Sequence, residues 1–239
     1  MIPDAEFPDA MAHAAAASLC LYLHPGKSGL APHMALLLAG ARFELRFVDL
    51  PNGEQQTPAF LALNPFGTIP VLTDGDRVVT ETGAILLHIA ERFPDSALLP
   101  ASGPERAGTL RRLFHAAALH AEFMMWHRSG SALANAPDSQ ESVRAWMGER
   151  LAAAFRAADA LFAQAPLAAS APDIADLYWL MVAGWWRTRF DFAHETLRLA
   201  GRLQATADHP CVQATYSAQE RQPPRFLPSS IACPDRRPA

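Results

Sequence analysis

The hydrophobic spacing of this chain changes character near residue 100. Upstream, the apolar period switches back and forth between two and about 3.6. Leu19, Leu21 and Leu23 alternate with Cys20 and Tyr22, which predicts a strand. Leu30, Met34, Leu37 and Leu38 then recur at helical spacing, with Gly40 as the stop. Phe43, Leu45 and Phe47 alternate again, so the first three elements form a βαβ unit with two parallel strands and a right-handed crossover. Residues 57–63 predict a short helix closed by Asn64-Pro65. Two short apolar runs, 69–73 and 77–80, flank Asp74-Gly75, a strong hairpin signal. Ile85, Ile89 and Phe93 mark a closing helix. The order is β-α-β-(α)-β-β-α.

Downstream of Leu98-Leu99-Pro100 only helical spacing remains. Leu110, Phe114, Ala117, Ala121 and Met125 fall on one helical face. Val143, Met147, Leu151, Ala154, Ala158 and Leu161 form a second stripe beyond a polar segment at 130–138. A third helix opens at Asp173, where Asp173 and Asp176 have the spacing of a capping box. Shorter helices are expected between 195 and 219, and five prolines from residue 221 onward predict an irregular tail. The expected organisation is an extension without order at 1–17, an α/β domain at 18–98, an all-helical domain at 104–220 and a Pro-rich tail at 221–239.

Composition narrows the function classes. Of 239 residues, 50% are hydrophobic and 18% charged, enough for a sizeable core. A net charge of −4 and a pI near 6.1 argue against a nucleic-acid partner, and Lys27 is the only lysine. Cys20, Cys211 and Cys233 are far apart and odd in number, which points to a reducing compartment, hence the cytoplasm. The first residues carry Asp4, Glu6 and Asp9 and no basic side chain, unlike a secretory leader. The most apolar later stretch, 177–186, is too short to span a bilayer. Nine histidines form no metal-ligand spacing, so no metal site is expected; His115, His120 and His127 share part of one helix face without partner ligands.

The chemistry-bearing residues lie at the ends of the predicted elements. Pro70 stands at the start of an apolar strand, where a cis Ile69–Pro70 bond would leave Ile69 as an edge for an extended peptide. A trans proline on an edge strand fits the spacing equally and is the commoner form. Glu81-Thr82 opens the third helix, with Thr82 as the expected N-cap and its amides as a carboxylate site. Residues 25–29 form the loop between first strand and first helix, where ligands of α/β sheets bind. There Ser28, Lys27 and the helix-start amides favour an anion, including a thiolate.

These pieces together resemble the cytosolic glutathione transferases, most closely bacterial beta-class members, over about residues 18–219. The likeness is carried by Leu21-Tyr22-Leu23-His24-Pro25-Gly26 with Leu30-Ala31-Pro32-His33, by Asn64-Pro65-Phe66-Gly67-Thr68-Ile69-Pro70-Val71-Leu72, by Thr80-Glu81-Thr82-Gly83-Ala84-Ile85, and by Asp173-Ile174-Ala175-Asp176-Leu177-Tyr178. The resemblance implies a thioredoxin-like α/β domain followed by an all-helical domain. It implies glutathione as co-substrate, with Ile69 and cis Pro70 on its cysteinyl part, Glu81 and Thr82 on its γ-glutamyl end, and Lys27 close by. Ser28 falls where beta-class enzymes carry a cysteine, and Tyr22 on the strand tyrosine of several classes; both are candidate activators of the thiol. An apolar pocket between the domains, with Met124, Trp126 and Trp185 as candidate lining, would take a small hydrophobic electrophile. A homodimer is implied. Isomerisation or peroxide reduction on the same site, and a binding protein without catalysis, remain open alternatives.

Overall fold

A computed structural model describes residues 19–163 and 171–228. The chain divides into two compact units between Ser96 and Ala97. The expected extension at 1–17 and the last part of the tail lie outside the described residues.

The first unit holds β1 (Leu19–Leu23), α1 (Leu30–Leu38), β2 (Phe43–Phe47), α2 (Pro58–Leu63), β3 (Val71–Asp74), β4 (Arg77–Thr80) and α3 (Thr82–Arg92). The sheet order is β2-β1-β3-β4, with β1 parallel to β2 and the other pairs antiparallel. This is a thioredoxin-like sheet. Strand alternation sorts the side chains onto two faces. Leu19, Leu21, Leu23 and Leu72 are fully buried on the face covered by α1 and α3. Tyr22 and Val71 lie on the other face, where Phe60 of α2 joins Val48 and Val71 in a small cluster.

The second unit is helical throughout: α4 (Gly103–Ala132), α5 (Pro137–Phe162), α6 (Ile174–Trp186), α7 (Phe192–Glu195), α8 (Leu197–Ala207) and α9 (Pro210–Ala218). Its centre is α6, buried along nearly its whole length. The Asp173–Asp176 capping box forms: Asp173 accepts from the amides of Ala175 and Asp176, and Asp176 accepts from the amide of Asp173. The apolar face read on α4 in the sequence differs from the face that is buried within the unit. The buried side chains include Arg112, Leu113, Ala116, Leu119, Phe123 and Trp126, while Phe114 and Met125 are each 63% exposed. Both faces carry apolar residues, and the aromatic pairing of Phe123 and Trp126 with Trp185 and Trp186 of α6 turns the helix the other way. Residues 221–228 are irregular, yet Phe226 and Leu227 are buried and their amides donate to Oε1 of Gln204.

Candidate functional site

Ser28 is the point where three segments of the first unit meet. Its hydroxyl donates to the carbonyl of Ile69 at 3.0 Å, and its own carbonyl accepts from the hydroxyl of Thr82 at 3.3 Å. The loop after β1 is thereby clasped to the segment before β3 and to the first turn of α3. The turn itself is compact, with the amide of Lys27 donating to the carbonyl of His24 and that of Leu30 to the carbonyl of Lys27. Gly29 sets the approach: a Cβ there would collide with Cβ of Leu23 and sit 3.4 Å from its Cα. Only glycine lets α1 begin flush against the end of β1. The cap residue of α1 supplies no side-chain oxygen and its first turn no acid; with the Leu30 amide given to Lys27 and no N–H on Pro32, the amide of Ala31 is the first-turn donor left.

The segment leading to β3 is held from inside. Asn64 is buried; its amide donates to the carbonyl and hydroxyl of Thr68, and its oxygen accepts from the amide of Phe66. Gly67 has a φ of 59° and its would-be Cβ lies 3.0 Å from the carbonyl of Gln55, so a side chain is excluded. The Ile69–Pro70 bond is cis. The Ile69 amide has no partner among the described residues, and its carbonyl keeps one lone pair beyond the bond from Ser28. Ile69 therefore presents a donor and an acceptor of the kind an extended peptide pairs with.

Thr82 does not cap α3. Glu81 occupies the N-cap position without a side-chain bond, at φ 70° and ψ 124°. Thr82 is the first helical residue, only 3% exposed, and its hydroxyl hydrogen is committed to Ser28. Burial beneath the Ser28 loop outcompetes capping. A non-glycine residue held at positive φ on an exposed corner is a strained arrangement of the kind concentrated at binding sites.

Tyr22 keeps different company. Its ring meets Phe60 edge-on at 6.4 Å. Burial, with the Cys20 thiol beside it, pushes the phenol up from its ordinary range. Burial likewise pushes the Cys20 thiol up, which leaves it a poor nucleophile. Lys27 is exposed at the loop's outer edge. On α4, Met124 and Trp126 are two positions apart, about 200° around the helix, so they face different ways. Trp126 is buried, donating its indole N–H to the carbonyl of Arg144, and Trp185 is half-buried against Phe123 and His120.

Three contributors escaped the sequence reading. His24 ties the end of β1 to β2 through Nδ1 and the carbonyl of Val48 at 3.0 Å. Asn64 reads in sequence as a helix stop. Gln56 donates its side-chain amide to the carbonyl of Gly67 at 3.3 Å, on the turn before the cis bond. Polar residues in a short loop carry no periodic signal, so nothing in their spacing marks them. Among the described residues no three His, Cys, Asp or Glu side chains converge as a metal site would need, and no helix is long and apolar enough to cross a membrane.

A thioredoxin-like sheet with a peptide edge at Ile69, followed by a helical unit, defines the architecture of glutathione transferases. Residues 17–91 match the family model of the glutathione S-transferase N-terminal domain. A glutathione S-transferase from a sphingomonad, solved in complex with glutathione, is 32% identical, with 84% of this chain and 98% of that one covered at a TM-score of 0.67. A glutathione transferase homologue from Sulfitobacter, solved with bound glutathione, is 26% identical over 84% of this chain and 98% of its own, at a TM-score of 0.73. Glutathione S-transferase 1 of Dianthus caryophyllus is 47% identical over 74 residues, 31% of this chain and 34% of that protein. The chain thus matches about a third of the length of that curated relative. The chain belongs to the glutathione S-transferase family.

Proposed function

We propose that this protein binds glutathione along the Ile69 edge and transfers its thiolate to a small apolar electrophile. The observation that carries the reading is the clasp at Ser28, which holds a peptide-pairing edge beside two helix starts. In this reading the cysteinyl backbone of glutathione pairs with Ile69 next to Pro70. The γ-glutamyl carboxylate lies at the first amides of α3 beside Glu81 and Thr82. The sulfur lies near Ser28, Lys27 and the start of α1, where positive ends of peptide dipoles favour the thiolate. The thiol proton leaves to solvent, the sulfur attacks an electrophilic carbon, and the leaving group departs with its electron pair. Met124 and Trp185 are the remaining candidates for holding the electrophile, since Trp126 is taken up in packing.

A second reading, glutathione binding without conjugation, draws on one observation. The Ser28 hydroxyl hydrogen is already given to Ile69, so a thiolate can take it only by breaking the clasp. Activation of the thiol then rests on backbone amides and Lys27. Calorimetric titration with glutathione, followed by assays with halonitroarenes, alkyl halides, a hydroperoxide and an isomerisable enone, separates the readings. Binding with turnover of the first two groups is expected. Turnover of the hydroperoxide or enone alone moves the assignment to reduction or isomerisation, and binding without any turnover favours the second reading.

The proposal extends to assembly as a homodimer in a reducing, cytoplasmic setting. Phe66, 80% exposed on the rigid turn held by Asn64, and the outward stripe of α4 at Phe114 and Met125 are large apolar groups left to solvent in the single chain. An isologous pairing of these surfaces would cover them.

A further inference from the structure

We propose, on the reading of the Ile69 edge given above, that the preferred thiol co-substrate is a γ-glutamyl-cysteinyl peptide whose glycyl carboxyl is masked as an amide, ahead of free glutathione. The direction of pairing decides which residues meet the glycyl end. A residue that exchanges both backbone bonds with Ile69 runs antiparallel to it. The γ-glutamyl end then lies on the carbonyl side of Ile69, which Ser28 ties to Thr82 and the start of α3. The glycyl end runs the other way, toward Thr68 and Gly67.

What the chain places there carries no positive charge. Gly67 is packed against the turn at 54–56. Gln56 donates its side-chain amide to the Gly67 carbonyl at 3.3 Å, and a Cβ on Gly67 would lie 3.0 Å from the carbonyl oxygen of Gln55. From residue 47 to residue 76 the sequence holds no lysine, arginine or histidine. It does hold acids. Glu54 opens that turn and accepts from the amide of Asp49, whose own carboxylate accepts from Asn52 on an exposed loop. The basic residues flanking this stretch are engaged elsewhere. Arg46 bonds to the Cys20 thiol, and Cys20 lies opposite Thr73, well beyond Ile69 along the sheet. His24 has given its Nδ1 hydrogen to the Val48 carbonyl. Lys27 adjoins Ser28, on the γ-glutamyl side.

The two ends of the peptide therefore meet opposite fields. At the γ-glutamyl end a carboxylate meets the first amides of α3. At the glycyl end a second carboxylate faces Glu54 and Asp49 with no cation from this loop to pair it. Such a repulsion at a solvated surface is worth about two- to threefold in affinity. An amide removes the charge and brings N–H donors, which the Glu54 carboxylate can accept.

The test is calorimetric titration of the full chain, at low ionic strength, with three ligands: glutathione, γ-glutamyl-cysteinyl-glycinamide, and glutathione amidated instead at its γ-glutamyl α-carboxyl. The glycinamide is expected to bind about two- to threefold more tightly than glutathione, and added salt should shrink that preference. Amidation at the γ-glutamyl end should weaken binding about tenfold or more. Glu54→Gln keeps an acceptor for the Asp49 amide and is expected to narrow the preference by tightening glutathione. A glycinamide that binds no more tightly than glutathione, or a preference unmoved by Glu54→Gln, overturns the proposal and leaves glutathione binding intact. A γ-glutamyl amide that binds as well as glutathione reverses the orientation and overturns it too. If none of the three binds, the glutathione reading itself fails and the proposal falls with it.

Discussion

The junction at Ser28 in the first unit and the N-terminal end of α6 in the second handle buried polarity in opposite ways. The first spends hydroxyls and amides. There Ser28, Thr82 and Asn64 bond to backbone carbonyls and amides, and no ion pair is involved. The second spends charge. Arg112 pairs with Asp173 at 2.5 Å, and Arg202 pairs with the fully buried Asp176. Neutral hydrogen bonds each contribute modestly and can be exchanged for bonds to a ligand. A buried ion pair cannot, because removing one partner strands the other charge. The Ser28 junction can thus rearrange its partners around a peptide, whereas the ion pairs at Asp173 and Asp176 hold their helices fixed.

The largest break in that comparison is Asp173→Ala. Asp173 caps α6, accepts from Thr109 and pairs with Arg112, whose own side chain is 10% exposed. Its loss should cost about 3–5 kcal/mol, chiefly through the unpaired Arg112. Asp173→Ser keeps the cap without the charge and should recover only about 1 kcal/mol of this. All five tryptophans lie at 126 or beyond, so urea unfolding followed by tryptophan emission reads the helical unit selectively. An equal midpoint for Ala and wild type would mean the ion pair contributes nothing.

Acid should separate the units next. His33 in α1 and His120 in α4 are both held neutral by burial, with pKa values lowered to about 4. Between pH 6.5 and about 4 the unfolded chain takes up these protons and the folded chain does not. Stability therefore falls as pH falls through that window, by about 3 kcal/mol for each group at its lower end. In the helical unit Asp176 opposes the loss. Burial and the Asp173 carboxylate push it up to about 6, so the folded state gains a proton in nearly the same window. The helical unit should show a shallower fall in stability from pH 6.5 to 4 than the α/β unit, read as urea midpoints from tryptophan emission and from amide exchange of α1 and β1. A parallel fall in both would contradict this, and His33→Asn should flatten the first profile.

The same contrast explains what the sequence discloses. Strands and helices follow from periodic burial, so β1, β2, α1 and the hairpin at Gly75 are legible within a residue or two. The capping box at Asp173 is legible because both partners lie within four residues. On α4 the periodicity does not decide the buried face, since apolar residues occupy both faces and only tertiary aromatic contacts select Phe123 over Phe114. At the candidate site the sequence brings out Ser28, Ile69, Pro70 and Thr82 as residues but not the bonds among them. The Ser28–Ile69 bond spans 41 positions and the Thr82–Ser28 bond 54, and no local rule encodes either.

The smallest predicted effects come from those two bonds, and they separate a clasp from a thiol activator. Thr82→Val removes one hydroxyl donor to the Ser28 carbonyl and should cost about 0.5–1.5 kcal/mol of stability in the first unit. Since Glu81 holds the cap position, no further capping loss is expected. Ser28→Ala frees the Ile69 carbonyl, which then lacks its donor until a ligand amide replaces it. Glutathione affinity should fall severalfold because the edge is less well ordered. The ultraviolet absorbance of bound thiolate against pH should keep its midpoint, because the amides at the start of α1 and Lys27 are unchanged. A midpoint displaced upward in Ser28→Ala would mean that the hydroxyl leaves Ile69 and donates to sulfur in the complex. Tyr22→Phe supplies the control: its ring packs on Phe60, and the edge-on contact survives loss of the hydroxyl. A displaced midpoint in that variant alone would assign activation to the phenol.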